Sequence, residues 1–290
     1  MKILFLSRQP FFRVRGTPIN VRHMVTALAG AGHEVDLLCY PWGEEIQIPG
    51  VRIFRVGRWP GMTEVKVGPS PAKIPLDFLM FWKALGLCFR RRYNVIHAVE
   101  ESAFFAVWLK KMFSCRMIYD MDSCISDQLR YTGFFKARPL LRFAESLERM
   151  AMRNAEFVLT VCQALSDEAR ARWPAARIVQ IEDAPLEAEF RDDPDGARRL
   201  RRELGVGEKP VVLYTGNFES YQGIDLLLQA FERVARRRAD VACVLVGGEP
   251  DQVEQKKKAA AALSPGAVCV FTGKRPMAEM PAFLSLASVL

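Results

Sequence analysis

Apolar residues gather in short runs along the chain, and between those runs they recur at helical spacing. The runs KILFL (2–6), EVDLLC (34–39), VRIFRV (51–56), NVIHAV (94–99), RMIYD (116–120), EFVLTV (156–161) and RIVQI (177–181) predict strands. PVVLYTG (210–216), VACVLVGG (241–248) and AVCVFTG (267–273) predict three more. Helices are predicted at 18–30, 75–90, 102–112, 138–153, 164–171, 197–204, 223–237, 250–263 and 276–288. Many strands are apolar throughout, as happens when helices cover both faces of a parallel sheet. The expectation is an α/β protein of two Rossmann-like domains, 1–185 and 186–290, the second incomplete. The polar stretch 182–209, with Pro185, Pro194 and Gly196, reads as the connection. The apolar end, Ala287 to Leu290, reads as a helix running into a further buried strand of an unfinished chain.

Composition adds little to the fold and more to the partners. Half of the 290 residues are hydrophobic and 26% are charged, which is ordinary for a globular protein. No apolar run is long enough to span a membrane. The N-terminal run, cut off by Arg8, suits a first strand better than a signal peptide. Seven cysteines without a C-x-x-C pair read as reduced residues of a cytosolic protein with no zinc site. The net charge of +8 is concentrated in residues 1–190, with 26 Lys and Arg against 20 Asp and Glu. This excess suits a nucleotide or a phospholipid surface; the absence of an RNA motif, zinc finger or recognition helix argues against nucleic acid.

The candidate chemistry lies after the strands. The first loop turns at Gly16 and enters a helix through Thr17 and Pro18, which fit an N-cap and a first-turn proline. That terminus, with Arg13 and Arg15 nearby, is either an anion site or simply a capped helix start. His97, at the C-terminal end of its strand, is followed by Glu100 and Glu101; it is either structural or a ligand group. Asp120, Asp122 and Asp127 follow the next strand. Their spacing does not support a metal; sugar hydroxyls are the better partners, and helix capping is the alternative for Asp122 and Ser123. The loop YTGNFESYQG offers Gly216, Asn217, Gln222 and Gly223 but no cation. The segment 74–93 sets Phe78, Phe81, Trp82, Leu85 and Phe89 ahead of Arg90, Arg91 and Arg92, and FFAVWLKKMF (104–113) repeats the theme. Such helices lie either in a membrane interface or in the core. Neither first loop holds G-x-G-x-x-G, and no acid ends the second strand, which disfavours a dinucleotide oxidoreductase.

The stretches GTPINVRHMVTALAGAGHEVDLL, NVIHAVE, LTVCQALSDEA and LYTGNFESYQGIDLLLQAFERV…VLVGG occur in an order and at intervals that resemble a family 4 glycosyltransferase of the GT-B type. The resemblance covers essentially the whole chain. It implies a UDP- or GDP-sugar as substrate, retention at the anomeric carbon, and neither metal nor cofactor. It implies a glycan or lipid-linked acceptor on the N-terminal side, in envelope or exopolysaccharide synthesis. Gly16 and Thr17 would lie near the donor phosphates, His97 would be catalytic at the donor sugar, and Gly216, Asn217, Gln222 and Gly223 would face the diphosphate. Glu100, Glu101, Asp120 and Asp122 would contact acceptor or sugar. Trp82, Arg90, Arg91 and Arg92 would face an anionic membrane, giving a cytoplasmic protein peripheral at the inner face. Asn217 and Gln222 stand where the family usually has Arg and Lys, and its paired donor-side glutamates fall after Leu290. Two alternatives stay open: a truncated, non-catalytic binding module, and a GT-B nucleotide-sugar epimerase.

Overall fold

A computed structural model describes residues 1–13, 16–62, 73–131, 138–184, 191–219, 222–263 and 267–290. Strand β1 (Lys2–Pro10) lies between β2 (Glu34–Tyr40) and β4 (Val95–Val99), parallel to both. With β3 (Val51–Arg55), β5 (Arg116–Met121), β6 (Phe157–Thr160) and β7 (Ile178–Gln180) they form one sheet in the order β3-β2-β1-β4-β5-β6-β7. All seven expected strands are present. β1 is longer than expected, because Arg8 is buried in ion pairs and the strand continues through it to Pro10.

Side chains alternate across the strands, and each face has its own cover. Phe5, Val35 and Leu37 pack under Val21 and Val25 of α1 (Gly16–Gly30). Leu4, Leu6, Ile96 and Tyr119 pack under α2 (Lys73–Arg90), α3 (Ser102–Phe113), α5 (Arg138–Asn154) and α6 (Gln163–Arg172). Between β5 and α5 lies α4 (Ile125–Tyr131), which the apolar pattern does not predict. Glu148 of α5, fully buried, holds it by accepting from the Ile125 N–H (2.7 Å) and the Ser126 hydroxyl (2.8 Å). An acid at a helix N-terminus satisfies open N–H groups and meets the positive dipole end. Arg172 of α6 neutralises it across 2.5 Å.

The chain divides into two units, Met1–Ala184 and Pro185–Leu290. In the second, β8 (Val211–Gly216), β9 (Ala242–Gly247) and β10 (Val268–Gly273) are parallel in the order β10-β9-β8. α7 (Pro194–Glu203) and α10 (Met280–Leu286) cover one face through Leu200, Ala282 and Phe283. α8 (Ile224–Ala235) and α9 (Pro250–Ala261) cover the other through Ile224, Phe231 and Val253. Two predicted helices change. α7 starts at Pro194, because the Asp193 side chain accepts from Gly196 N–H at 2.8 Å and the proline takes the first turn. The segment predicted at 276–288 splits into a 3-10 turn (Met277–Glu279) and α10, and the backbone turns extended at Ala287. Val289 then bridges Val212 in parallel, its carbonyl accepting from Leu213 N–H at 2.8 Å. Each unit thus winds as a doubly wound α/β sheet does, outward from the first strand and back to its other side. All seven cysteines are free thiols; Cys162 is exposed.

Candidate active site

Winding reverses between β1 and β4, and ligands of such sheets bind outside the strand ends at the reversal. The groups gathered there are Gln9 on β1, Gly16 and Thr17 at the start of α1, Glu100 and Glu101 after β4, and Asp120, Asp122 and Ser123 around the end of β5.

His97 is set deeper than expected. It is the third of five residues in β4 and only 3% exposed, because the strand continues through Val99 before turning. Its ring stacks on Phe5 at 4.1 Å, and Nε2 lies 2.9 Å from Asp120 Oδ2. A carboxylate only accepts, so Nε2 is the donor in this contact.

The turn after β4 forces Glu100 into the left-handed region (φ 51°). For a residue with a Cβ this costs about 1–2 kcal/mol, and such strain concentrates at functional sites. Its N–H donates to Asp120 O (2.9 Å), and its carboxylate accepts from Gln9 Nε2 and Ser123 Oγ, both at 3.2 Å. Burial, then the charges of Glu101 and Asp122, push the Glu100 carboxyl up to about 7. Burial also opposes the Glu101 charge, but its ion pair with Arg8 outweighs that and lowers its pKa. Adjacent carboxyls driven in opposite directions are how one site obtains a fixed anion and a group that titrates near neutrality.

Behind them stands a buried charge network that sequence reasoning missed. Arg8 pairs with Glu101 and with Asp77 of α2 (Nε to Oδ1, 2.6 Å), and Tyr40 donates to the same Asp77 oxygen at 2.5 Å. Lys73, 5% exposed, is lowered by burial while Glu101 supports its charge. An arginine directly after the apolar run Ile3 to Leu6 and Ser7 was the signal in the sequence.

Thr17 does not cap α1. The helix already begins at Gly16, and the Thr17 hydroxyl donates to Asp122 Oδ2 at 2.7 Å. Asp122 therefore ties the end of β5 to the first turn of α1. Burial, and then Asp120, raise its carboxyl to about 6 against the hydrogen bonds from Thr17 and Asn20. Ser123 caps nothing either, since its hydroxyl serves Glu100. Asp127 belongs elsewhere, with Arg172 at 3.3 Å. Gly16 is exposed, with open space where a Cβ would be. Arg13 is half-buried, and Arg15 lies outside the described residues.

In the second unit, β8 and β9 end backbone against backbone. A Cβ on Gly247 (φ +119°) would stand 1.9 Å from the Gly216 carbonyl oxygen, so only glycine fits. The loop after Gly216 folds on itself. Asn217 Oδ1 accepts from Glu219 N–H at 3.0 Å, and Gln222 N–H donates to Glu219 O at 2.9 Å, ahead of Gly223 (φ 72°) and α8. Ser220 and Tyr221 lie outside the described residues. Lys256 and Lys274 meet Asp225 (2.6 Å) and Glu249 (2.5 Å). Among the described residues no group of three or more His, Cys, Asp or Glu is placed to hold a metal, and no helix is long and apolar enough to cross a membrane.

Residues 15–184 match the model of the glycosyl transferase 4-like domain, and residues 197–290 match that of the glycosyl transferases group 1. The chain belongs to the family 4 glycosyltransferases. A GDP-mannose-dependent alpha-(1-6)-phosphatidylinositol monomannoside mannosyltransferase of Mycolicibacterium smegmatis is 32% identical over 121 residues. That match covers 42% of this chain and 31% of the relative's length. Sucrose-phosphate synthase of Thermosynechococcus elongatus superposes with a TM-score of 0.78 at 20% identity, over 99% of this chain and 73% of that one. Alr3699/HepE of Anabaena, solved with UDP-glucose, gives 0.71 at 19%, over 99% and 72%. At these identities the solved structures speak for the fold, which is GT-B.

Proposed function

We propose that this glycosyltransferase moves a sugar from a UDP- or GDP-sugar to a glycan or lipid-linked acceptor, with retention, in envelope or exopolysaccharide synthesis. The observation that carries the reading is the carboxyl cluster at the β1–β4 reversal, where Glu100 meets Gln9 of β1, Glu101 meets Arg8 and Asp122 meets Thr17 of α1. The relative that acts on a phosphatidylinositol mannoside and the fold neighbour holding UDP-glucose support a nucleotide-sugar donor and a lipid-linked acceptor.

Roles follow from reach and charge. Glu100 and Asp122 are half-buried and open to a ligand, so they take the hydroxyls of acceptor or sugar. Glu101 stays an anion on Arg8 and fixes the turn that presents Glu100. His97, nearly inaccessible, is a positioning residue: through Asp120 it sets the carbonyl that receives Glu100 N–H. Departure of a nucleoside diphosphate builds negative charge, which preorganised donors stabilise. In this reading each unit offers such donors by itself, the N–H of Gly16 and Thr17 in the first and the loop of Gly216, Asn217, Gln222 and Gly223 in the second. Neutral donors are about half as strong as charged ones, so this loop holds the diphosphate less tightly than a cationic one. The acceptor is met at a membrane face, by a protein peripheral on its cytoplasmic side.

The test is a screen of UDP- and GDP-sugars against a membrane lipid extract, with the anomeric configuration of the product read by NMR. An inverted product overturns retention. Release of a free sugar without acceptor would replace transfer by epimerase chemistry, and no turnover of any donor would favour the binding module.

A further inference from the structure

Helix α2 is apolar on two faces. Leu76, Met80, Ala84 and Leu87 point into the core, as a surface helix requires. On the opposite side Ile74, Phe78, Trp82 and Phe89 form a second stripe that is 53–71% exposed. Trp108 and Met112 of α3 extend it, also more than half exposed. Edge-to-face contacts of Phe81 with Phe105 (6.1 Å) and Phe89 with Phe113 (5.0 Å) join the two helices into one surface. A contiguous apolar patch built of aromatics is an interaction surface, because nothing else offsets its exposure to water.

Charge identifies the occupant. α3 holds no carboxylate, and the one acid of α2, Asp77, turns inward to Arg8 and Tyr40. The rim instead carries Lys83, Arg90, Arg91, Arg92, Lys110 and Lys111. Arg91 faces Asp36 at 3.5 Å, while Lys83 and Lys110 donate to backbone carbonyls. Arg90, Arg92 and Lys111 are exposed, and the Lys111 ammonium sits 5.6 Å over the Trp108 ring. Aromatics at the centre and cations at the rim match an interface of acyl chains and anionic headgroups.

We infer that the outer face of α2 and α3 docks on an anionic lipid bilayer, with Phe78, Trp82, Phe89 and Trp108 entering the headgroup layer. The inference rests on the proposed membrane-side acceptor only for its purpose. Its test needs no nucleotide-sugar, so either reading can fail alone.

The experiment is co-sedimentation of the chain with vesicles of phosphatidylcholine, alone or mixed with phosphatidylglycerol. Binding is expected only to the mixed vesicles and should weaken with added salt. Each cation near such a surface contributes about 1 kcal/mol, so Arg90→Gln, Arg92→Gln and Lys111→Gln together should weaken binding on the order of a hundred-fold. Trp82→Glu with Phe89→Glu should abolish it while the thermal midpoint holds, because both side chains are exposed. Equal binding by all variants, or none by the unmodified chain, overturns the inference. So does a dimer that Trp82→Glu with Phe89→Glu disperses without vesicle binding, which would make a second copy the occupant.

Discussion

Replacing Glu100 by Gln should stabilise the protein at alkaline pH and leave it unchanged in acid. The carboxyl stands at about 7 against an ordinary 4.5, so the folded state binds its proton more tightly than the unfolded chain does. Below 4.5 both states are protonated and Glu100 costs nothing; as pH rises through 7 the folded state must carry a charge that burial and Glu101 oppose. A tenfold change in proton affinity is worth about 1.4 kcal/mol, which sets an upper limit of about 3 kcal/mol. Glu101 and Asp122 share the interaction, and Gln loses charge-assisted bonds from Gln9 and Ser123, so a gain of about 1–2 kcal/mol is expected. Urea unfolding of both proteins at about pH 4 and about pH 8.5 would show it as a midpoint that rises only at the higher pH. An equal loss at both pH values would mean that the hydrogen bonds outweigh the buried charge, the opposite of this prediction.

Glu148→Ala should cost about 3–5 kcal/mol, because it leaves Arg172 and the open N–H groups of α4 without their buried partner; a change under about 1 kcal/mol in chemical unfolding would contradict it. Gly247→Ala should unfold the second unit and leave Met1–Ala184 folded, read by limited proteolysis; a native pattern would show that β8 and β9 can part at no cost. Affinity for a nucleoside diphosphate should fall as pH rises through about 6, where Asp122 ionises beside α1, and Asp122→Asn should flatten that dependence. Calorimetric titration over that range gives the answer, and a slope that survives in the Asn variant would place the diphosphate elsewhere.

Much of the fold was legible because parallel strands covered on both sides must be apolar along their length. Most of the strands announce themselves in this way, Ile3 to Leu6 and Ala242 to Val246 most plainly, while β3 and β7 at the sheet edges carry polar residues. What was not legible depends on partners distant in sequence. Arg8 looks like the end of a strand until Glu101 and Asp77 are seen to bury it. The seven residues of α4 offer too short a stripe, Ile125 and Leu129, to announce a helix, and its first turn is held by Glu148. The positions of Glu100, Asp120 and Asp122 at one sheet edge followed from strand ends, but the division between Glu100 and Glu101 did not, because it depends on the buried Arg8 that pairs with Glu101. Nor could spacing tell which face of α2 is the core: Phe78 and Trp82 repeat as regularly as Leu76 and Met80, and only packing shows that the former are exposed.

In the proposed reaction Glu100 and Asp122 take acceptor and sugar hydroxyls at the β1–β4 edge. The most direct test is acceptor-dependent release of UDP or GDP from a nucleotide-sugar by the unmodified protein and by Glu100→Ala and Asp122→Ala. Each variant should lose about a hundred-fold or more in turnover, the size of a missing transition-state hydrogen bond, with its thermal midpoint retained. Turnover undiminished in both variants would contradict it and move the acceptor site off this edge.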